Sequence, residues 1–371
     1  RNMNSHQIPF FNYPLLFEQR KSEYLRVLED VHSRGAFIMQ KDLEDFENCL
    51  QEYLGVENAI GVADGTMALL MSLMAAGIGP GDEVLVPAHT FIASAAAINH
   101  TGALPKLVDC GEDHLIDTES VKNNLSEKTK AIMPVQLNGR VAFMDGILEI
   151  AKENGLIILE DSCQALGAKY KEKFGGTFGV AGTFSFFPAK TLGCFGDGGA
   201  VITDDDEIAF KVKMIRDHGR DPHDGKVKLY GFNGRLDNVH AAILLLKMKY
   251  YDQDIAIRRN LAEIYHSRLK HIDSILLPPP PESGDHFDIF QNYEIEAESR
   301  EELRSYLSEN GIGTILQWGG YALNDFENLE LDSELPYTKK MTEKFMMLPM
   351  HHLLNFDEVN YICNKIEDFY S

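Results

Sequence analysis

The sequence predicts an α/β fold, a large unit on a mainly parallel seven-stranded sheet followed by a smaller α+β unit. Two observations carry this. Up to about residue 245, short β-branched runs alternate with longer amphipathic stretches, the pattern of repeated strand–helix–strand units. After about Asn238 the texture changes to a long helical pattern, a proline run and shorter mixed elements. The division expected is 1–245 and 246–371.

The strands expected, in order, are Asn58–Val62, Glu83–Pro87, Pro105–Asp109, Ala131–Val135, Leu156–Glu160, Thr183–Phe186 and Ala200–Thr203. Most are short and apolar on both faces, as strands covered by helices on each side must be. Thr66–Ala76, Ser94–His100 and Gly146–Asn154 read as helices between them, with Gly155 as a C-cap. One long helix is expected from Asn238 to about Leu269, with Leu244, Leu245, Leu246 and Met248 on its apolar side. Pro278–Pro281 cannot be helical and reads as a stiff connector. Beyond it, Gln291–Glu296 reads as a strand, and Glu301–Asn310 and Phe356–Tyr370 as helices.

A chain of 371 residues buries a large core without a disulfide or metal staple. It carries 35 Lys and Arg against 57 Asp and Glu, a net charge of −22. That charge argues against a general nucleic-acid binder, which needs a basic face, and against anchoring on anionic membranes. Anionic small ligands need only a local pocket and stay open. The five cysteines are scattered with no C-x-x-C pair, which reads as reduced, intracellular thiols. The opening Arg1-Asn2-Met3-Asn4 lacks the apolar stretch of a secretion signal, and no apolar run is long enough to span a bilayer. The location expected is cytoplasmic. No metal is expected; His351-His352 reads as a surface or hinge pair, with no Cys/His set nearby to complete a zinc cage.

Three segments point to chemistry. In the first, Gly61–Leu69, a strand ends, a glycine turn follows and a helix begins. The free N–H groups of Gly65, Thr66 and Met67 then form an anion site at a positive helix end, or simply a capped helix. In the second, Leu156–Gly167, four apolar residues deliver Glu160 and Asp161 to the C-terminal edge of a strand, where open α/β sheets bind ligands. Asp161 there can pair with a cationic ring nitrogen and Gln164 can donate to a phenolate oxygen; helix capping by Asp161 is the plainer alternative. In the third, Thr183–Ala200, a strand ends near Ser185, Pro188 breaks it, and Lys190 follows among aromatic residues and glycines. A lysine beside apolar groups has its ammonium form disfavoured and can serve as a nucleophile. A lone loop lysine is otherwise just solvated.

In this order and spacing, the three segments resemble the sugar aminotransferases of the DegT/StrS type, within the aspartate-aminotransferase fold (PLP fold type I). The resemblance extends to Gly79–Val84, Pro87–Phe91, Asp217–Arg220, Gly231–Arg235 and Leu348–Met350, nearly the whole chain. It implies pyridoxal 5′-phosphate as cofactor, with Lys190 as the lysine that holds it covalently and Asp161 as the carboxylate on its ring nitrogen. It further implies Gln164 at the phenolic oxygen, Gly65, Thr66 and Ser185 at the phosphate, and Phe91 stacked on the ring. Asn233 resembles a residue that reaches the phosphate from a partner subunit, which implies a homodimer with shared sites. Trp318 is a candidate for the sugar pocket, with core packing the alternative, and His218 and Arg220 either contact the nucleotide or substrate or merely solvate a loop. The reaction implied is transamination between L-glutamate and a nucleotide-linked keto-sugar, giving an amino sugar for lipopolysaccharide or a related glycan.

Lys190–Gly199, Asp288–Tyr293 and Gln317–Gly320 resemble the enzymes acting at C3 of dTDP-3-oxo-6-deoxyhexoses. A C4-aminating enzyme, a UDP-sugar enzyme and a non-catalytic regulatory protein of the same fold are the alternatives. A dehydratase of this fold has histidine in place of the lysine, so Lys190 argues against it. Five positions depart from the commoner pattern. Gln136-Leu137-Asn138-Gly139 stands where His-Leu-Tyr-Gly is frequent, Asp64 for a serine, Cys163 for an alanine and Gln40 for a glycine.

Overall fold

The computed structural model describes residues 7–331 and 333–371, and the opening Arg1-Asn2-Met3-Asn4 lies outside the described residues. Seven strands form the central sheet: β1 (Asn58–Val62), β2 (Glu83–Pro87), β3 (Leu104–Val108), β4 (Thr129–Ile132), β5 (Ile157–Asp161), β6 (Ala181–Ser185) and β7 (Gly199–Thr203). Their spatial order is β1-β7-β6-β5-β4-β2-β3. Only β7 runs against its neighbours, so β1 to β6 all end at the same edge of the sheet.

Apolarity on both faces has the expected cause. Leu85, Ile158 and Ile202 point into one core, beneath Phe46, Ile147 and Leu244. Their neighbours Val84, Leu159 and Val201 point into the other, beneath Leu69, Ala97 and Val212. Side chains alternate along a strand, so helices on both faces demand apolar residues at every position. The helices begin where carboxylates can take up free N–H groups: Asp64, Asp117 and Asp205 each accept from the first turn they precede. Gly55 and Gly155 close two helices in the left-handed conformation, which glycine adopts without cost.

The smaller unit packs helices Tyr251–Leu269, Arg300–Glu309 and Phe356–Tyr370 on an antiparallel sheet of Ile275–Leu276, Tyr293–Ala297 and Phe345–Leu348. Its core gathers Leu261, Tyr265, Ile295, Leu307 and Ile362, with Ile8 from the far end of the chain. The single long helix expected from Asn238 is two, Asn238–Met248 and Tyr251–Leu269. The break lets Leu244 pack on the large sheet while Leu261 and Tyr265 turn into the smaller core. Strand β4 stops short of the expected Val135; Pro134 has no N–H to give the ladder. His351 and His352 are buried, not at the surface. Burial pushes their pKa values down, to about 3 and about 2, so both rings are neutral.

Candidate active site

The shared edge of β1 to β6 opens into a cavity of about 500 Å³. Gly65, Thr66, Phe91, Asp161, Gln164, Ser185, Lys190 and Trp318 all line it, brought together from positions up to 253 residues apart, 318 − 65.

At its floor, β5 ends in two carboxylates that the strand's alternation sends opposite ways. Glu160 is buried in the fold, where it accepts from the N–H groups of Gly176, Phe178 and Gly179 and from Gln136 Nε2. It holds a turn. Asp161 faces the cavity. Its Oδ2 accepts from Ser94 Oγ at 2.6 Å, and Ser94 in turn meets Thr90 Oγ1 at 2.8 Å. Oδ1 accepts from Cys163 N at 3.2 Å. The carboxylate is therefore fixed in place before any ligand arrives.

At one wall, Asp64 caps helix Gly65–Ala75 by accepting from Met67 N at 2.8 Å. The backbone is pressed close here. A Cβ on Gly65 would stand 2.9 Å from Ser185 Cβ, and one on Gly199 would stand 2.4 Å from the Asp64 carbonyl oxygen. A helix N-terminus, an unbranched backbone and the hydroxyls of Thr66 and Ser185 thus converge as an anion cradle. Asp64 in place of the usual serine supplies the cap.

Lys190 lies in the turn after β6. Burial lowers its pKa, against the pull of Cys163 and Asp161. The neighbouring Cys163 thiol is pushed well above its ordinary value by burial and stays neutral. The two residues flanking Lys190 are pinned from the smaller unit. Gln291 Nε2 donates to Ala189 O at 2.9 Å, and its Oε1 accepts from Thr191 N and Oγ1 at 2.6 and 2.7 Å. Further along the same loop, Lys247 Nζ donates to Gly193 O. Buried Arg258 holds the strand entry behind it through the carbonyls of Phe290, Gln291 and Met350. None of Ser94, Gln291, Lys247 and Arg258 stands out in the sequence as a site residue. Gln291 sits within the Asp288–Tyr293 stretch, but nothing in its residue type announces a loop clamp.

Phe91 starts the helix Ile92–His100 and is half-exposed at the cavity mouth, its ring centroid 6.5 Å from that of Trp318. Gln164 Oε1 accepts from Asn138 N at 2.8 Å, which leaves its amide N–H groups as donors. His218, Arg220 and Asn233 are not brought to this cavity. They lie exposed on the segment 217–235, which is tied to itself by His218 N to Phe232 O at 2.8 Å and carries a Tyr230 that is 99% exposed.

The residues present fit pyridoxal 5′-phosphate: an anion cradle that an added Cβ would fill, a fixed carboxylate, and a lysine whose ammonium form is disfavoured. Comparisons with known proteins agree. A pleiotropic regulatory protein of Geobacillus stearothermophilus is 38% identical over 371 residues, covering 98% of each chain. A dTDP-3-amino-3,4,6-trideoxy-alpha-D-glucose transaminase of Streptomyces venezuelae is 38% identical over 314 residues, covering 84% of this chain and 82% of its own. The crystal structure of S. venezuelae DesV in complex with a ketimine intermediate superposes with a TM-score of 0.94 at 34% identity, over 99% of each chain. Residues 18–367 match the DegT/DnrJ/EryC1/StrS aminotransferase family, and the chain belongs to that family.

Proposed function

We propose that this pyridoxal 5′-phosphate-dependent enzyme transfers the amino group of L-glutamate to C3 of a nucleotide-linked keto-sugar, most closely a dTDP-3-oxo-6-deoxyhexose. The observation that carries the reading is the convergence of Lys190, Asp161 and the Gly65 cradle on one cavity. The S. venezuelae relative, named for a 3-amino dTDP-sugar, supports the substrate class.

The cofactor supplies a reactive aldehyde carbon and a ring that accepts electrons. The chain's residues do the rest. Gly65, Thr66 and Ser185 bind the phosphate, and Phe91 covers one ring face. Asp161 keeps a proton on the ring nitrogen, and Gln164 donates to the phenolic oxygen. Lys190 would hold the cofactor and, once the donor amine has taken its place, its neutral Nζ would move the proton from the donor's Cα to C4′. Glutamate would leave as 2-oxoglutarate, with water supplying its new carbonyl oxygen and the cofactor keeping its nitrogen, and the keto-sugar would then take up that nitrogen and give up its oxygen as water. Trp318 borders the sugar. We assign the large unit to 1–245 and the smaller to 246–371.

The exposed arm 217–235 supports a homodimer in which Asn233 reaches the partner's phosphate site and His218 and Arg220 the partner's substrate. Among the described residues no helix is long and apolar enough to cross a membrane. We place the reaction in the cytoplasm, supplying an amino sugar to lipopolysaccharide or a related glycan. The regulatory name of one relative raises a non-catalytic reading, but Lys190 and the fixed Asp161 favour the enzyme.

The test is a two-stage assay. L-Glutamate should move the cofactor's visible band to the near-ultraviolet. A panel of nucleotide keto-sugars should then restore the band, with the product's amino position read by NMR. No change with glutamate would remove the transamination; amino groups only at C4 would remove the C3 assignment.

A further inference from the structure

Strand Tyr293–Ala297 of the smaller unit carries two buried carboxylates, Glu294 and Glu296, toward the large unit. Glu294 Oε1 meets His89 Nε2 at 2.9 Å, His114 Nδ1 at 2.7 Å and Asn138 Nδ2 at 3.1 Å. The other ring nitrogen of His114 meets Glu296 Oε1 at 3.1 Å, so both nitrogens face carboxylates and both donate. Tyr337 Oη donates to the same Glu296 oxygen. Glu294 is thus paired with a His114 imidazolium and also accepts from His89 Nε2, while His89 Nδ1 has no hydrogen-bond partner among the described residues.

A carboxylate can only accept, and this sets the direction of every amide attached to it. Gln317 must turn its NH₂ to Glu294 Oε2, at 2.7 Å, and Asn138 must turn its NH₂ to Oε1. Gln317 Nε2 also donates to Asn138 Oδ1 at 2.7 Å. The Gln317 carbonyl then has one way to face. It accepts from Gln164 Nε2 and from Asn292 Nδ2, each at 3.3 Å. Asn292 also donates to Asn138 Oδ1 at 3.0 Å and to Gln164 Oε1 at 3.3 Å. At the end of this chain Gln164 is held at both ends, its oxygen by Asn138 N and one N–H by Gln317. Its second N–H is left for the cavity.

We propose that Glu294 is a positioning residue: its carboxylate fixes the sense of the Gln317 and Asn138 amides, and through Gln317 it aims one Gln164 N–H at the cofactor's phenolic oxygen. The inference rests on the role given to Gln164 above. It makes the smaller unit, through one buried carboxylate, part of what tunes the cofactor. With glutamine at 294 the acceptor-only constraint is gone. Gln317 can then turn its NH₂ toward Gln164, which drives the two donors apart.

The readout is the pH midpoint at which the visible band of the bound cofactor changes, recorded without substrate on native protein, Glu294→Gln, Gln164→Ala and the double variant. A donor to the phenolic oxygen favours its negative form, so losing the donor raises the midpoint. The shift expected is about one pH unit for Gln164→Ala and about half a unit for Glu294→Gln, with no further rise in the double variant. Removing a negative charge acts directly in the opposite sense, so an unchanged or lowered midpoint in Glu294→Gln overturns the proposal. So does a Glu294→Gln rise that persists on the Gln164→Ala background. Gln317→Met, which leaves the Glu294–His114 pair whole, is measured alongside; it must also raise the midpoint, and a variant that folds without doing so overturns the proposal even if Glu294→Gln fails to fold. A native protein with no cofactor band would sink the function reading itself. A native band that titrates and rises in Gln164→Ala, with Glu294→Gln and Gln317→Met superposed on native, sinks only the role of Glu294.

Discussion

Two buried polar sets meet around Lys190, and they spend their hydrogen bonds differently. On the cavity side, the Gly65 helix end, the Ser185 hydroxyl and one Gln164 N–H face open volume. On the seam between the units, Gln291, Arg258, Glu294, His114 and Gln317 point almost every polar atom at another protein group. Residue types overlap between the two sets; what separates them is whether a donor or acceptor is left for something that is not protein. Substitutions in the cavity should therefore remove turnover and leave the fold, whereas those in the seam should cost stability and only part of turnover.

The largest effect is expected at Lys190. Lys190→Ala should lower turnover by more than about 10³-fold and abolish covalent retention of the cofactor, with thermal stability nearly unchanged. Denaturing gel filtration after borohydride reduction, compared with native protein, checks the retention. Sustained turnover by this variant would erase the distinction between the two sets. Asp161→Asn comes next. It preserves shape, but a neutral amide no longer holds the ring nitrogen's proton, and a loss of about 10²-fold in the glutamate half-reaction is expected. Equal rates in stopped-flow would mean that Asp161 does no more than hold the turn after its strand through Cys163 N.

Much of the cavity set was legible in the sequence because its signals are local. A glycine at a strand-to-helix turn, a carboxylate at the end of an apolar run and a lysine after a broken strand each show themselves within a dozen residues. The sheet was legible for the same reason, since burial on both faces writes apolar residues at every strand position. The seam was not. Gln291 and Lys190 are about a hundred residues apart, and a glutamine that clamps a loop reads like any other glutamine. Glu294 inside Gln291–Glu296 fits a strand with a solvated face as well as one buried against two histidines. Helix Lys41–Leu54 and helix Asp206–Arg216, which are not among the elements expected, cover the two apolar faces of the sheet.

Gln291→Ala sharpens the comparison from the seam side. It strips the clamp from both neighbours of Lys190 and leaves Thr191 N without its acceptor. A stability loss of about 1–3 kcal/mol is expected, with kcat down about tenfold and KM for glutamate unchanged, because the lysine is displaced and the substrate's own contacts are not. Urea unfolding and steady-state kinetics on the same preparation separate the two. A stability loss with native kcat would reduce the seam to scaffolding.

The smallest effect is a pH dependence of stability that belongs to the seam alone. Burial pulls the His114 pKa down, but its hydrogen bonds to Glu294 and Glu296 outweigh this and raise it from 6.5 to about 9. A raised value means that the folded protein holds the proton more tightly than the unfolded chain. The His114 contribution is then fully present below about pH 6.5 and is lost as pH climbs through about 9. Glu294 works in the opposite sense: burial alone would raise it, yet the two histidines hold it well below its ordinary 4.5, so its share is present above that pH and falls away in acid. The seam is therefore tightest between about pH 4.5 and 6.5, and Tm should drop from pH 6.5 to 9 by a few degrees more in native protein than in His114→Gln. Because His114 lies in the seam, Lys190→Ala should show the native slope; if that variant flattens it instead, the proton being lost sits on the lysine and the two sets are not separate.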